Sequence, residues 1–213
     1  MARAIYVKAA QKNIYYCGKR VEYTSEKGKR KGQTLTKLDR TIPADENDRV
    51  YITKGEPYYW WAFLKGGKHY SRTEPRRSQL TQSSFLSQQY DLEDRIADFT
   101  CSNKDDFDAF KNEIQDEIEN LKEETEGSLE SMPDSLQSSP TGELLQERIS
   151  GLESWHDEID GIECEYDEDE LKDEINSENE NISDEDLQTS LNEKIAEIID
   201  AAIDELKSTS SGL

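Results

Sequence analysis

The chain has 213 residues, 33% hydrophobic and 35% charged, with a formal net charge of −22; this leaves room for one or two small domains with thin cores, and no apolar run approaches the roughly 20 residues of a membrane span. The total hides a division. Residues 1–77 carry 18 Lys and Arg against 8 Asp and Glu, a net +10, whereas residues 78–213 carry 8 against 40, a net −32. A basic module joined to an acidic one points to a charged partner for at least one of them.

The opening MARAIYVKAAQ has a lone Arg and no run of signal-peptide length, so a cytoplasmic protein is expected. Three dispersed cysteines, Cys17, Cys101 and Cys164, and only two histidines supply no zinc ligand set, and no cofactor is expected. Ile5 and Val7 alternate with Tyr6 and Lys8, Ile14–Tyr16 and Val21–Tyr23 flank a Cys-Gly-Lys-Arg turn, and Val50–Thr53 precedes Lys54-Gly55. Such period-two runs bounded by turn residues predict short strands. Between them, residues 27–32 read as a polar, glycine-framed loop.

The stretch YYWWAFLKGGKHYSR predicts a hairpin in which Tyr58–Phe63 pairs with Lys68–Arg72 around Gly66-Gly67. Alternation puts Tyr58, Trp60 and Ala62 on one face and Tyr59, Trp61 and Phe63 on the other, and Pro75 ends the sheet. A strand aromatic on both faces must be covered twice or leave a surface that binds something.

From Ser83 the period becomes helical. Phe85, Leu86, Tyr90, Leu92 or Glu93, and Ile96 share a face; Asn103 caps a longer helix with Phe107, Phe110, Ile114, Ile118, Leu121 and Leu129 inside and Glu117 outside. MPDSLQSSPTG reads as a loop. Leu145, Ile149, Leu152, Trp155 and Ile159 then return, which predicts an antiparallel coiled-coil hairpin. Ser183 with Asp186 resembles a capping box for a last helix through Leu187, Leu191, Ile195, Ile198, Ala202 and Leu206. The fold class expected is therefore α+β: a basic β-rich module (1–82), a helical hairpin (83–162), an acidic linker or helix (163–182), a C-terminal amphipathic helix (183–207) and a disordered tail (208–213).

No catalytic motif is recognisable, and a non-enzymatic protein is expected. His69 is a candidate acid or base without a carboxylate in sequence reach, and His156 reads as structural or exposed. Asp167-Glu168-Asp169-Glu170 opens like a calcium loop, but Leu171 and Lys172 occupy positions that need an oxygen ligand and a glycine. Residues 163–186 hold 13 carboxylates and one Lys; if wholly helical they present roughly one charge per 3 Å, about half the density of duplex DNA. Glu165, Asp167, Glu168, Asp169 and Glu170 are thus candidates for binding a basic partner as a DNA mimic, with a merely solubilising helix bundle as the alternative.

The basic module supplies the other candidate site. Lys27, Lys29, Arg30 and Lys31 in one loop, with Lys65, Lys68, His69, Arg72, Arg76 and Arg77 near the hairpin, suit phosphate contacts, while Tyr59, Trp61 or Tyr70 suit base stacking. An ordinary aromatic core under a basic surface fits the same residues. The partners expected are DNA or RNA for the module, or a host or phage protein for the acidic helices, with homo-oligomerisation through the helices and no membrane.

The segments VKAAQKN (7–13), GKRKGQTLTKLDRTIPADENDRV (28–50), KGEPYYWWAF (54–63) and GGKHYSRTEPRRSQLTQSSF (66–85) resemble a family of uncharacterised proteins of tailed phages and other mobile elements. That family combines a YYWW strand, a GGKxYS turn and an SQLTxS helix start with a variable acidic coiled-coil region. The resemblance covers roughly the first 95 residues and implies a phage context without implying an activity. The hairpin is also similar to the three-stranded arm domains of tyrosine recombinases; no recombinase catalytic region follows, so that likeness implies DNA contact at most.

Overall fold

The structure is a computed structural model that describes residues 1–25, 31–64, 67–178 and 182–209. It is α+β, and the chain divides into two compact units, Met1–Ser87 and Gln88–Leu213.

Among the described residues of the first unit seven strands form three small antiparallel sheets. β1 (Ile5–Val7), β6 (Tyr58–Phe63) and β7 (Gly67–Ser71) make a three-stranded sheet in the order β1-β6-β7; β2 (Ile14–Tyr15) pairs with β5 (Val50–Ile52), and β3 (Lys19–Thr24) with β4 (Thr34–Asp39). β4 is not among the expected strands. Its alternation is mostly polar, and burial along it is slight, so hydrophobic periodicity carries no signal there. The hairpin of β6 and β7 has the register Trp60↔Tyr70 and Trp61↔His69, and β1 adds Ile5↔Trp60 and Tyr6↔Tyr59. Gly67 turns the hairpin at φ +77°; Gly66 and Lys65 lie outside the described residues.

Ala10, Ile14 and Ile52 form the buried cluster, with Tyr51, Tyr58 and Tyr70 packed against it. This core is small, so polar ties matter. The carboxylate of Asp48 accepts from the backbone N–H groups of Cys17 at 3.0 Å, Gly18 at 2.8 Å and Ala44 at 2.8 Å, which fastens the 44–48 loop to the start of β3. Chiefly the bond from Ala44 holds this carboxyl below its ordinary pKa, because donors favour the charged form. Gly18 has φ +72°, and a Cβ there would lie 2.7 Å from the Cα of Arg40; glycine is required by both conformation and contact.

After Pro75, which is buried, a 3-10 turn at Arg77–Leu80 leads to α1 (Ser84–Asp98). The second unit is helical: α2 (Lys104–Glu130), α3 (Asp134–Gln137), α4 (Pro140–Asp160), α5 (Glu168–Glu178) and α6 (Asp184–Ser208). Asn103 caps α2 by accepting from the N–H of Asp106 at 2.7 Å, as its side-chain type predicts. α2 and α4 form an antiparallel hairpin: Lys111, near the start of α2, donates to the carbonyls of Asp160 and Ile162 at 2.8 and 2.7 Å, and Gln115 donates to the Asp160 side chain at 3.1 Å. Phe107, Ile114, Ile118 and Leu121 of α2 and Leu152, Trp155 and Ile159 of α4 are buried. Each such side chain contributes roughly 1.5–3 kcal/mol on burial. Leu129, Leu145 and Ile149 are only half-buried, so the apolar stripe thins toward the loop end.

Several local expectations are corrected. The expected loop MPDSLQSSPTG contains α3 and the first turn of α4, because Ser139 caps it through the N–H of Gly142 and Pro140 suits the first helical position. Of the expected linker or helix at 163–182, residues 163–167 precede α5, 168–178 form it, and 179–181 lie outside the described residues; Asp167 opens α5 by accepting from the N–H groups of Asp169 and Glu170. In α6 the buried positions are Leu191, Ile199, Ala202, Ile203 and Leu206; Leu191, Ala202 and Leu206 keep the expected stripe, Leu187, Ile195 and Ile198 of that stripe are only half-buried, and Ile199 and Ile203 join the inward face. Ser183 does cap α6, and its hydroxyl also donates to Asp186 at 2.7 Å, a shorter reach than the usual Glu makes. Of the expected tail, Ser208 ends α6 and the hydroxyl of Thr209 accepts from the Trp155 indole N–H at 3.1 Å, while residues 210–213 lie outside the described residues. Glu117 is not a free outer residue: Arg95 donates to it at 2.6 Å and to Glu113 at 2.7 Å.

Candidate functional site

Period-two geometry decides which aromatic side chains meet. Directly opposed residues share a face, so the register places Tyr58, Trp60, Lys68 and Tyr70 on one face, with Ile5 and Val7, and Tyr6, Tyr59, Trp61, Phe63 and His69 on the other. The expected stacking set is therefore split. Tyr70 lies on the face opposite to Tyr59 and Trp61.

Trp61 is also removed as a stacking platform: it is 5% exposed, and its ring stacks on His69 with centroids 5.6 Å apart and planes 14° from parallel. Phe63 meets the same imidazole edge-on at 5.3 Å. Tyr59 is half-buried beside the exposed ring of Tyr6 at 5.1 Å. His69 thus sits in an aromatic packing role.

The other face opens into a cleft of about 500 Å³ lined by Val7, Gln11, Lys12, Ile14, Thr41, Tyr58, Trp60, Lys68 and Tyr70. Its volume is in the range of small-molecule sites. Among the described residues three aromatic rings and two lysines line it; the carboxylate of Asp39, bonded to Thr41 in the wall, still acts electrostatically on Tyr70 and Lys12. Lys68 holds its ammonium 4.6 Å from the Trp60 ring centre, a cation–π distance. Tyr58 and Tyr70 lie 6.0 Å apart at 42°. Burial, and next the neighbouring Tyr58, raise the Tyr70 pKa, so its phenol remains a neutral hydroxyl, donor and acceptor. Thr41 in the wall is fixed by Asp39, which accepts from its hydroxyl at 2.7 Å and from its N–H at 2.9 Å. Those two bonds, in that order, hold the Asp39 carboxyl below its ordinary pKa. Chemically the cleft offers flat apolar surfaces and two exposed lysines, a combination that suits a planar ring carrying negative charge.

The remaining basic candidates are spread over the unit. Lys31 is exposed at the end of the β3–β4 ribbon, and Lys27, Lys29 and Arg30 lie outside the described residues. Arg72 is exposed, 5.7 Å over the Tyr51 ring and 3.7 Å from Glu56, so its charge is partly matched. Arg76 and Arg77 are exposed around the 3-10 turn. Lys12, Tyr58 and Trp60 are the site residues that sequence reasoning passed over. The strand alternation already separates Trp60 from Trp61; Lys12 becomes a neighbour only through tertiary folding.

On the acidic side, Glu165, Asp167, Glu168, Asp169 and Glu170 are all exposed. Lys172 lies 3.5 Å from Glu168 and 3.4 Å from Asp169, and such exposed pairs contribute little. Among the described residues no group of three or more His, Cys, Asp and Glu is arranged to hold a metal ion, and no helix is long and apolar enough to cross a membrane.

No protein-family model, curated protein or solved structure matches the chain.

Proposed function

We propose that this is a non-enzymatic, phage-type accessory protein that binds nucleic acid through its basic N-terminal unit. In this reading the helical hairpin acts as a coiled coil for oligomerisation or partner recruitment in the cytoplasm. The observation that carries it is the cleft: Trp60, Tyr58 and Tyr70 beside Lys12 and Lys68. Stacking on aromatic rings is worth roughly 1–3 kcal/mol per base, and the exposed lysines add a salt-sensitive attraction to phosphate.

The test is fluorescence anisotropy of labelled single-stranded DNA and RNA with the full chain, over a range of salt. Affinity falls linearly on a log–log plot against salt. Trp60→Leu is expected to weaken binding about tenfold or more without changing that slope, and Lys68→Gln to reduce the slope by about one phosphate contact. Binding unaffected by both substitutions refutes the assignment to the cleft.

A second reading is favoured by the five exposed carboxylates at and before the start of α5: the acidic unit engages a basic host or phage protein as a DNA mimic. Affinity capture with and without nuclease separates the two. Capture that survives nuclease and is lost when Glu165, Asp167, Glu168, Asp169 and Glu170 are neutralised supports the second.

A further inference from the structure

The β3–β4 ribbon is the least buried regular structure of the first unit, and it has its own chemistry. It consists of two six-residue strands paired throughout, from Lys19↔Asp39 to Thr24↔Thr34, with no third strand among the described residues. An isolated two-stranded ribbon is marginal in water, and this one gains little from its surroundings. On one face Val21, Leu35 and Asp39 are half-buried. On the other, Arg20, Glu22, Thr24, Thr34, Thr36 and Leu38 are all exposed.

We propose that this open face reads base edges in the major groove of duplex DNA, which rests on the nucleic-acid reading above and names the form of the ligand. Dimensions permit it: six residues per strand span roughly 20 Å, and two strands lie about 5 Å apart, within a groove about 12 Å wide that admits a two-stranded ribbon. Among the described residues Lys19, Arg20, Lys31 and Lys37 stand on the ribbon and its end against Glu22 and Asp39; Arg20 and Glu22 share the open face, and the lysines, on the other face or at the end, are placed for flanking phosphates. Asp39 is occupied by Thr41. Lys37, 5.4 Å over the Tyr23 ring on the face away from the bases, has a stem long enough to reach a flanking phosphate.

The side-chain set of the open face is also informative. Arg presents a fork to the acceptors of guanine, a glutamate accepts from the cytosine amine, threonine hydroxyls serve several bases, and an apolar side chain meets the thymine methyl. The groove must be that of B-form DNA, because the deep, narrow major groove of duplex RNA does not admit side chains.

The experiment uses the full chain with one sequence offered as a DNA duplex, an RNA duplex and an unpaired DNA strand, after selection of a preferred duplex from a random pool. The DNA duplex is expected to bind more tightly than the RNA duplex. Arg20→Ala with Thr36→Ala is expected to lose about tenfold or more on the selected DNA duplex and less than about twofold on the unpaired strand. Both residues are exposed, and unchanged near-UV circular dichroism verifies folding; Arg20→Lys, which keeps the charge and loses the fork, is a second probe expected to retain general DNA affinity and lose sequence preference. Equal affinity for RNA and DNA duplexes, or selected-duplex binding unchanged by either variant, overturns the inference. Binding to the unpaired strand alone overturns it and leaves the cleft reading standing, whereas binding to none of the three removes both.

Discussion

Gly18 and Gly67 allow a conformational cost to be separated from a steric one. Both have positive φ, +72° and +77°, where an L-residue is disfavoured by about 1–2 kcal/mol. Alanine recovers about 0.4–1 kcal/mol by narrowing the unfolded ensemble. At Gly67 a Cβ meets nothing within 4 Å, so Gly67→Ala should lose about 1 kcal/mol net. At Gly18 a Cβ would meet Arg40 Cα at 2.7 Å, Arg40 Cγ at 2.9 Å and the Asp39 carbonyl at 2.9 Å. Two of these are backbone atoms at the end of β4, so relief must come from shifting the strands and loosening the N–H that Gly18 donates to Asp48. Overpacking of this kind adds about 1–3 kcal/mol, which brings Gly18→Ala to about 2–4 kcal/mol. For a unit of this size 1 kcal/mol moves Tm by about 4–8 °C. Thermal unfolding followed by near-UV circular dichroism measures the difference, since eight of the ten tyrosines lie in the first unit. Equal Tm shifts for the two variants would refute the steric argument at Gly18.

In the helical hairpin, Ile114→Asp or Leu152→Asp places a carboxylate at a position that is 0% exposed, and a loss of about 3 kcal/mol or more is expected in urea denaturation. Asp116→Asn, exposed on α2, should stay within about 0.5 kcal/mol; equal effects would mean that the stripe is not packed. Asp39 and Asp48 have lowered folded-state pKa values, so their stabilisation is complete above the unfolded value, about pH 4, and is lost as pH falls through the folded values. Acid titration of the first unit's near-UV signal should show this loss, and Asp48→Asn should flatten it. Thr209→Val removes the bond from Trp155 and spares its ring, and should cost about 0.5–1.5 kcal/mol by the same denaturation assay, whereas Trp155→Phe also leaves a void at a side chain that is 1% exposed and should cost more; an equal loss for the two would refute the packing role of Trp155.

The helical stripes were legible because apolar residues recur at three and four wherever one face is buried, as at Ile114, Ile118 and Leu121. The place of Ile199 on the inward face of α6 was not legible, because adjacent Ile198 and Ile199 fit either face and packing alone chooses. β4 escaped because neither side of the ribbon is deeply buried. The candidate site was half legible: alternation separates Trp60 from Trp61, but which face is enclosed depends on what covers it. Register across the turn then assigns Tyr70 to the Trp60 side, a step that needs the pairing Trp60↔Tyr70 and not composition.

The three-stranded sheet ends on β1 and on β7, of three and five residues. An edge strand is a template for another chain, and its hazard grows with its length and apolar content. Here one edge is too short to template a stable addition, and the other begins at a glycine followed by an exposed lysine. The YYWW strand, a segment that alone would favour fibrils, thus lies at the centre of its sheet with both of its hydrogen-bonding edges already taken by β1 and β7.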